Sequence, residues 1–206
     1  MRLYSKLWLF FTGIRLKVTG AENVIHNEPY IICANHSSFV DIPCLYSFFN
    51  EYFVFTGKQE IERWPLFHIF YTSGMNILVD RKNPKKASLS FKKMIAELNN
   101  DHPIFIFPEG TISKTAPLPS EFKSGASALA IQKQIPILPI TFTTNWKRLE
   151  RKGLLNGEAS PGIAEMIVHK PIYTRGLKKT EAESVNQILK ETIFRPIFRK
   201  YKFNYQ

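Results

Sequence analysis

The chain has 206 residues, 44% hydrophobic and 14% aromatic, which suits one globular domain with a sizeable core. Its 28 Lys and Arg against 17 Asp and Glu leave a net charge of +11, so the expected partner is anionic: a membrane surface, a phosphorylated ligand or nucleic acid. Two cysteines, Cys33 and Cys44, exclude a disulfide framework or a zinc site of their own and point to reduced thiols in a cytosolic setting.

Met1 to Ile14 reads as a short helix, with Leu7-Trp8-Leu9-Phe10-Phe11 flanked by Arg2, Lys6, Arg15 and Lys17. A spanning helix needs ~20 apolar residues, so this run is too short to cross a bilayer. No small-residue cleavage pattern follows it, which argues against a signal peptide. Two readings stay open: a basic, aromatic helix lying in the lipid interface, or a helix packed on its own domain. Ile14, Leu16 and Val18 then alternate with Arg15, Lys17 and Thr19, the pattern of a half-buried strand.

Tyr30 to Ala34 is a short buried strand, and Ile42 to Phe49 carries Leu45, Phe48 and Phe49 at helical spacing. Between them runs Asn35-His36-Ser37-Ser38-Phe39-Val40-Asp41. His36 and Asp41 therefore sit on a strand-to-helix turn, where they meet only across a bend. If they do meet, Asp41 holds one ring nitrogen of His36 and the other is a positioned base for a hydroxyl proton. No Gly-x-Ser-x-Gly elbow occurs in the chain, so that hydroxyl would belong to a substrate. The competing reading is a His capping a helix and an Asp binding backbone amides in its first turn.

Tyr52 to Phe55 reads as another strand, and Lys58 follows its end, where ligands of open α/β sheets gather. Lys58 meets an anionic head group or is simply solvated. Glu60 to Tyr71 reads as a helix entered or kinked near Pro65, and Ile77 to Val79 as a buried strand. Arg81 leaves that strand, where it forks two donors onto a phosphate or pairs with Asp80. Asn83 is the expected N-cap of a helix with Pro84 at its first position and Ala87, Phe91, Ile95 and Leu98 inward. Lys82, Lys85, Lys86, Lys92 and Lys93 make either a positive surface beside Arg81 or an ordinary solvated face. Ile104 to Phe107 is a core strand ending in the tight turn Pro108-Glu109-Gly110-Thr111. The amides of that turn face a ligand in one reading, with Glu109 receiving a hydroxyl or orienting a neighbour.

Phe122 to Gln134 reads as a helix with Ala126, Leu129 and Ala130 inward. Gln134 to Phe142 is a strand whose two prolines suggest an edge or a bulge. The cations of Trp146 to Lys152 touch anionic lipid or water. Ala164 to Val168 is a further strand, and His169 after it is read as structural. Thr180-x-x-Glu183 is a capping box opening a helix with Val185, Ile188, Leu189 and Ile193 inward, ending at or before Pro196. The basic, aromatic tail from Ile197 to Gln206 is an interfacial anchor or a frayed end. With no repeat or linker in sight, residues 1–206 read as a single domain.

Four ordered blocks resemble the glycerolipid acyltransferase family, its lysophosphatidic-acid acyltransferase group: Asn35-His36-x4-Asp41, Gly74 with Asp80-Arg81, Phe107-Pro108-Glu109-Gly110-Thr111, and Ile135-Pro136-Ile137-Leu138-Pro139-Ile140. Phe122-Lys123-Ser124-Gly125-Ala126 is similar to the family's stretch between the last two. The expected fold is then α/β: a mixed, largely parallel sheet covered by helices, with the site at one edge of the strands' carboxyl ends and a short N-terminal interfacial helix. The resemblance implies that His36 takes the proton of an acceptor hydroxyl and that Asp41 orients His36 and stabilises its charged form. The hydroxyl oxygen would attack the thioester of acyl-CoA or acyl-carrier protein. Arg81, Glu109 and the Gly110-Thr111 backbone would hold the acceptor, a lysolipid and foremost 1-acylglycerol 3-phosphate, with Lys58 a further contact. No cofactor, metal or covalent enzyme intermediate is implied. The family's third block commonly has Arg after its Thr, where this chain has Ile112. Either Arg81, Lys58, Lys114 or Lys123 takes over a phosphate, or the acceptor lacks one, as a lyso-aminolipid does. The expected location is the cytoplasmic face of an anionic membrane, without spanning it. Nucleic acid is not an expected partner, because the basic residues are scattered and no binding motif is present. A lipid-binding module without catalysis is the other rival, and the presence of both His36 and Asp41 weighs against it.

Overall fold

The computed structural model of the chain describes residues 1–58, 76–79, 84–150 and 157–203. In chain order the elements are α1 (Arg2–Phe11), β1 (Ile14–Thr19), β2 (Ile31–Ala34), α2 (Asp41–Phe48), β3 (Val54–Lys58), β4 (Asn76–Val79), α3 (Pro84–Asn99), β5 (Ile104–Ile106), α4 (Gly125–Lys133), β6 (Ile137–Phe142), β7 (Gly162–Val168) and α5 (Ala182–Tyr201). The seven strands among the described residues form one sheet in the order β1-β7-β6-β2-β5-β3-β4. Every described pair is parallel except β6 with β7. The expected α/β fold with a mixed, largely parallel sheet is what forms.

Strand alternation divides the core in two, because successive side chains leave opposite faces of a sheet. Ile32, Ala34, Phe105, Leu138, Ile140 and Phe142 pack with Leu9 of α1 and with Ile42 and Leu45 of α2. Ile31, Cys33, Ile104 and Ile137 pack with Met94 and Leu98 of α3, Leu129 and Ala130 of α4, and Leu189 and Ile193 of α5. The register places Ile32 between Phe105 on one side and Leu138 on the other, so β2 is central. Cys33 and Cys44 are both buried and unpaired.

Several expectations need correction. The third strand begins two residues late: Tyr52 is exposed, and β3 runs Val54–Lys58. β6 is not an edge strand, although Pro139 lies inside it. Its missing N–H falls on the β7 side, between the Ile137–Ile172 bridge and the ladder that starts at Ile140–Val168. That gap in pairing accommodates a proline in mid-sheet, while the Pro139 carbonyl still accepts the His169 N–H at 2.9 Å. The helix α5 does not stop at Pro196 but runs through it to Tyr201. A proline inside a helix costs ~3 kcal/mol. Ile193, Phe194 and Ile197 are buried around it, and each such burial contributes about 1.5–3 kcal/mol, so packing wins. The tail is therefore helix, not a frayed end, as far as Tyr201. Ile188 points outward at 50% exposure, and Asn186 takes the buried position instead. The cap forms earlier than expected: the Glu181 side chain accepts the Lys178 N–H at 2.8 Å ahead of α5. His169 behaves as expected of a structural residue. The Thr141 hydroxyl donates to the Ile193 carbonyl, so its oxygen accepts from His169 Nε2 at 2.8 Å, and burial lowers the His169 pKa to about 4.

Candidate active site

β2, β5 and β6 run in one direction side by side, so the residues that follow them emerge together above the middle of the sheet. Asn35 and His36 follow β2, Phe107 to Glu109 follow β5, and Thr143 to Asn145 follow β6. Crevices outside the carboxyl ends of strands are where open α/β sheets present functional groups. The site lies over the centre of the sheet rather than at one edge of it.

The turn after β2 folds around Asp41. Its Oδ2 accepts His36 Nδ1 at 3.0 Å and the backbone N–H groups of Ser37 at 2.7 Å and Ser38 at 2.9 Å. Its Oδ1 accepts Asn145 Nδ2 at 2.8 Å and the Ser37 hydroxyl at 3.4 Å. Asp41 has no solvent exposure, and a buried carboxylate persists where donors surround it in this way. The two readings of the sequence thus coexist, since Asp41 binds backbone amides and His36 at once. A carboxylate offers only acceptors, so the hydrogen on the shared edge of the imidazole belongs to Nδ1. In the neutral ring this leaves the lone pair on Nε2, which has no hydrogen-bond partner among the described residues.

The ring is held from below as well. It stacks on Phe107 with centroids 3.7 Å apart and planes 7° from parallel. Phe107 in turn meets Phe105 edge-on at 4.6 Å and Phe55 at 5.8 Å. The imidazole is therefore clamped between a carboxylate and an aromatic stack, and 7% of the His36 side chain remains exposed.

Glu109 links the turn after β5 to the turn after β2. Its Oε1 accepts the His36 N–H and its Oε2 accepts the Ser120 N–H, each at 2.7 Å. Both oxygens are thus engaged with backbone. Burial pushes its carboxyl up to about 7, against the hydrogen bonds from the His36 backbone and from the Ser120 backbone and side chain that favour the charged form, and the Asp41 charge adds to the rise. Gly110 closes this turn at φ 74°, in the left-handed region that glycine enters without a steric penalty. The Ser113 N–H donates to the His36 carbonyl at 2.9 Å, so the two turns are joined on both sides of His36.

Among the other residues singled out by sequence, Thr111, Lys114 and Lys123 are exposed. Lys58 ends β3 opposite Val79; its side chain, Arg81, the 60–71 helix and the Gly74 and Asp80-Arg81 block lie outside the described residues. Ile112 is 6% exposed and belongs to the core beneath the site, packed with the same cluster as Phe107 and Phe39. Among the described residues no group of three or more His, Cys, Asp and Glu is placed to hold a metal.

Sequence reading missed the residues that brace the pair. Asn35 exchanges two hydrogen bonds with the Phe142 backbone, Nδ2 to its carbonyl at 3.0 Å and Oδ1 from its N–H at 2.8 Å. Ser38 donates to the Leu149 carbonyl at 2.7 Å, and Asn145 reaches Asp41. These partners are more than a hundred residues apart in sequence, and nothing local to Asn35 or Asn145 signals them.

The acyltransferase family model matches residues 15–143 of the chain. A 1-acyl-sn-glycerol-3-phosphate acyltransferase of Saccharomyces cerevisiae is 30% identical over 93% of this chain and 64% of its own length. The enzyme of the same name from Borreliella burgdorferi is 28% identical over 96% of this chain and 77% of its own length. The chain thus spans just under two thirds of the yeast protein, and 66% of the mouse alpha relative. Among solved structures, the 1-acyl-sn-glycerophosphate acyltransferase of Thermotoga maritima superposes with a TM-score of 0.79 at 23% identity, covering 100% of this chain and 79% of that one. This likeness is one of fold.

Proposed function

The chain belongs to the acyltransferase family, and from that premise we propose that it moves a fatty acyl group from acyl-CoA or acyl-carrier protein to the free hydroxyl of a lysolipid, 1-acylglycerol 3-phosphate first among them. The product of that acceptor is phosphatidic acid, a step of phospholipid biosynthesis. The observation that carries this reading is the 3.0 Å contact of His36 Nδ1 with a fully buried Asp41. It leaves Nε2 as the base for the acceptor hydroxyl. As the hydroxyl oxygen attacks the thioester carbonyl, its proton passes to Nε2 and Asp41 stabilises the imidazolium. Collapse of the tetrahedral adduct breaks the carbon–sulfur bond, and the proton leaves with the thiolate. A thioester is already activated, so positioning, a base and oxyanion donors are sufficient chemistry. Arg81, Lys58 and the Gly110-Thr111 backbone are the proposed contacts to the acceptor. Glu109, with both oxygens on backbone amides, supports it by fixing His36 and the segment at Ser120.

The proposed setting is the cytoplasmic face of a membrane, peripheral or monotopic. Leu3, Leu7, Phe10 and Phe11 of α1 are exposed, between 47% and 79%, beside Arg2 and Lys6. Aromatic and aliphatic side chains on one short basic helix suit an anionic lipid interface. Among the described residues no helix is long and apolar enough to cross a membrane.

A second reading is favoured by one residue. Ile112 stands where the family commonly has Arg and is buried in the core, so an acceptor without a phosphate, such as a lyso-aminolipid, fits the same chemistry. Free-thiol release from acyl-CoA, measured with a panel of lysolipid acceptors with and without a phosphate, distinguishes the two. Faster release with 1-acylglycerol 3-phosphate supports the first reading. Release confined to phosphate-free acceptors replaces it with the second, and no acceptor-dependent release rejects both.

A further inference from the structure

We propose that Asn145 is a positioning residue of the His36–Asp41 pair, acting through Asp41. The proposal rests on the acyl-transfer reading above for its kinetic consequence, but its geometry stands apart from it. Asn145 is the first residue of the 3-10 turn Asn145–Lys147 that follows β6 and has no solvent exposure. Its Nδ2 donates to Asp41 Oδ1 at 2.8 Å and lies 3.8 Å from Cys44 Sγ. One N–H of the amide thus meets the carboxylate and the other meets a weak sulfur acceptor. Its own Oδ1 has no hydrogen-bond partner among the described residues. Turning the amide over would set oxygen against oxygen at Asp41, so the donor orientation is the one the site permits.

The turn that carries Asn145 is fastened to the turn that carries His36. The Asn145 carbonyl accepts the Arg148 N–H at 2.8 Å and the Leu149 N–H at 3.3 Å. The Leu149 carbonyl accepts the Ser38 hydroxyl at 2.7 Å, and Ser38 N–H reaches Asp41. On the other side Thr144 Oγ1 donates to the Ile163 carbonyl at 2.8 Å. Asn145 is therefore a rigid donor, fixed before any substrate arrives.

Two consequences follow for Asp41. Backbone amides of Ser37 and Ser38 occupy Oδ2 together with His36, so Oδ1 is the atom whose anchoring sets the rotation of the carboxylate. Asn145 supplies that anchor; the Ser37 hydroxyl at 3.4 Å is a long second contact. The same hydrogen bond withdraws electron density from the carboxylate and so limits how strongly it holds a proton on His36. Removing the donor leaves Asp41 freer to turn and more strongly attractive to an imidazolium.

The test pairs Asn145→Ala with the near-isosteric Asn145→Leu, which fills the same space and has no donor. The expected result for Asn145→Ala is a fall in kcat of about tenfold with KM for donor and acceptor within about twofold, as a group acting in the transition state requires. The pH at which His36 deprotonates should move upward, both in the acid limb of the kcat/KM profile and in an NMR titration of the His36 ring. Asn145→Leu likewise removes the donor and should move it in the same direction. A kcat loss with an unmoved His36 titration makes Asn145 merely structural and overturns the proposal, as does unchanged kcat. If Asn145→Ala does not fold, the Leu variant alone decides by the same titration. If wild-type protein transfers no acyl group, the acyl-transfer reading fails, and the NMR titration still supports or overturns the role of Asn145.

Discussion

Replacing Glu109 with Gln isolates one buried carboxylate in the pH dependence of folding. Glu109 is 4% exposed and accepts the His36 and Ser120 backbone N–H groups, each at 2.7 Å. Burial outweighs those bonds and raises its carboxyl from 4.5 to about 7. A carboxyl that holds its proton more tightly in the folded state contributes stability that is fully present below the unfolded value and lost as pH rises through the folded one. The difference of 7 and 4.5, at ~1.36 kcal/mol per unit, amounts to about 3 kcal/mol lost between those pH values. The Gln variant does not ionise there and lacks that slope. It carries instead a steady penalty of about 1–3 kcal/mol, because its amide nitrogen faces a backbone donor. Urea unfolding of both proteins between about pH 4.5 and pH 7.5 should show wild type ahead at the acid end and its lead shrinking by about 3 kcal/mol toward neutrality. A lead that stays constant across this range refutes the reasoning about Glu109.

Asn35→Ala removes both partners of the Phe142 backbone groups inside the sheet, and each orphaned buried group costs ~1–3 kcal/mol, so the urea midpoint should fall by an amount equivalent to about 2–5 kcal/mol. A loss below about 1 kcal/mol would mean that water replaces the side chain. Phe10→Glu with Phe11→Glu should abolish sedimentation with anionic vesicles at low salt while the Tm stays within a few degrees, because both rings are exposed, at 76% and 79%. Unchanged vesicle binding would remove α1 from the membrane contact.

What was legible in the sequence is what rests on short-range pattern. The turn from Asn35 to Asp41 could be placed between a strand and a helix because Tyr30 to Ala34 is continuously apolar and Leu45 and Phe49 repeat at helical spacing; Leu45 is fully buried and Phe49 nearly so. The strand that starts at Ile104, one residue shorter than expected at its Phe107 end, and the buried positions Ala126, Leu129 and Ala130 were readable for the same reason. What was not legible depends on distant partners. Pro139 reads as an edge signal, yet the gap in β7 pairing that admits it is formed by residues about thirty positions later. Pro196 reads as a stop, yet Ile193 and Ile197 are fully buried on either side of it. Asn145 looks like any loop asparagine until Asp41, 104 residues earlier, is set beside it.

The measurement closest to the central claim is acceptor-dependent thiol release from acyl-CoA by His36→Ala, run beside wild type on the same vesicles. A general base of this kind contributes about 10²- to 10⁴-fold, so the variant should lose turnover by that factor while keeping its vesicle binding and its Tm. Turnover within about tenfold of wild type, from a variant shown to be folded and membrane-bound, would contradict a base at Nε2 held in place by Asp41.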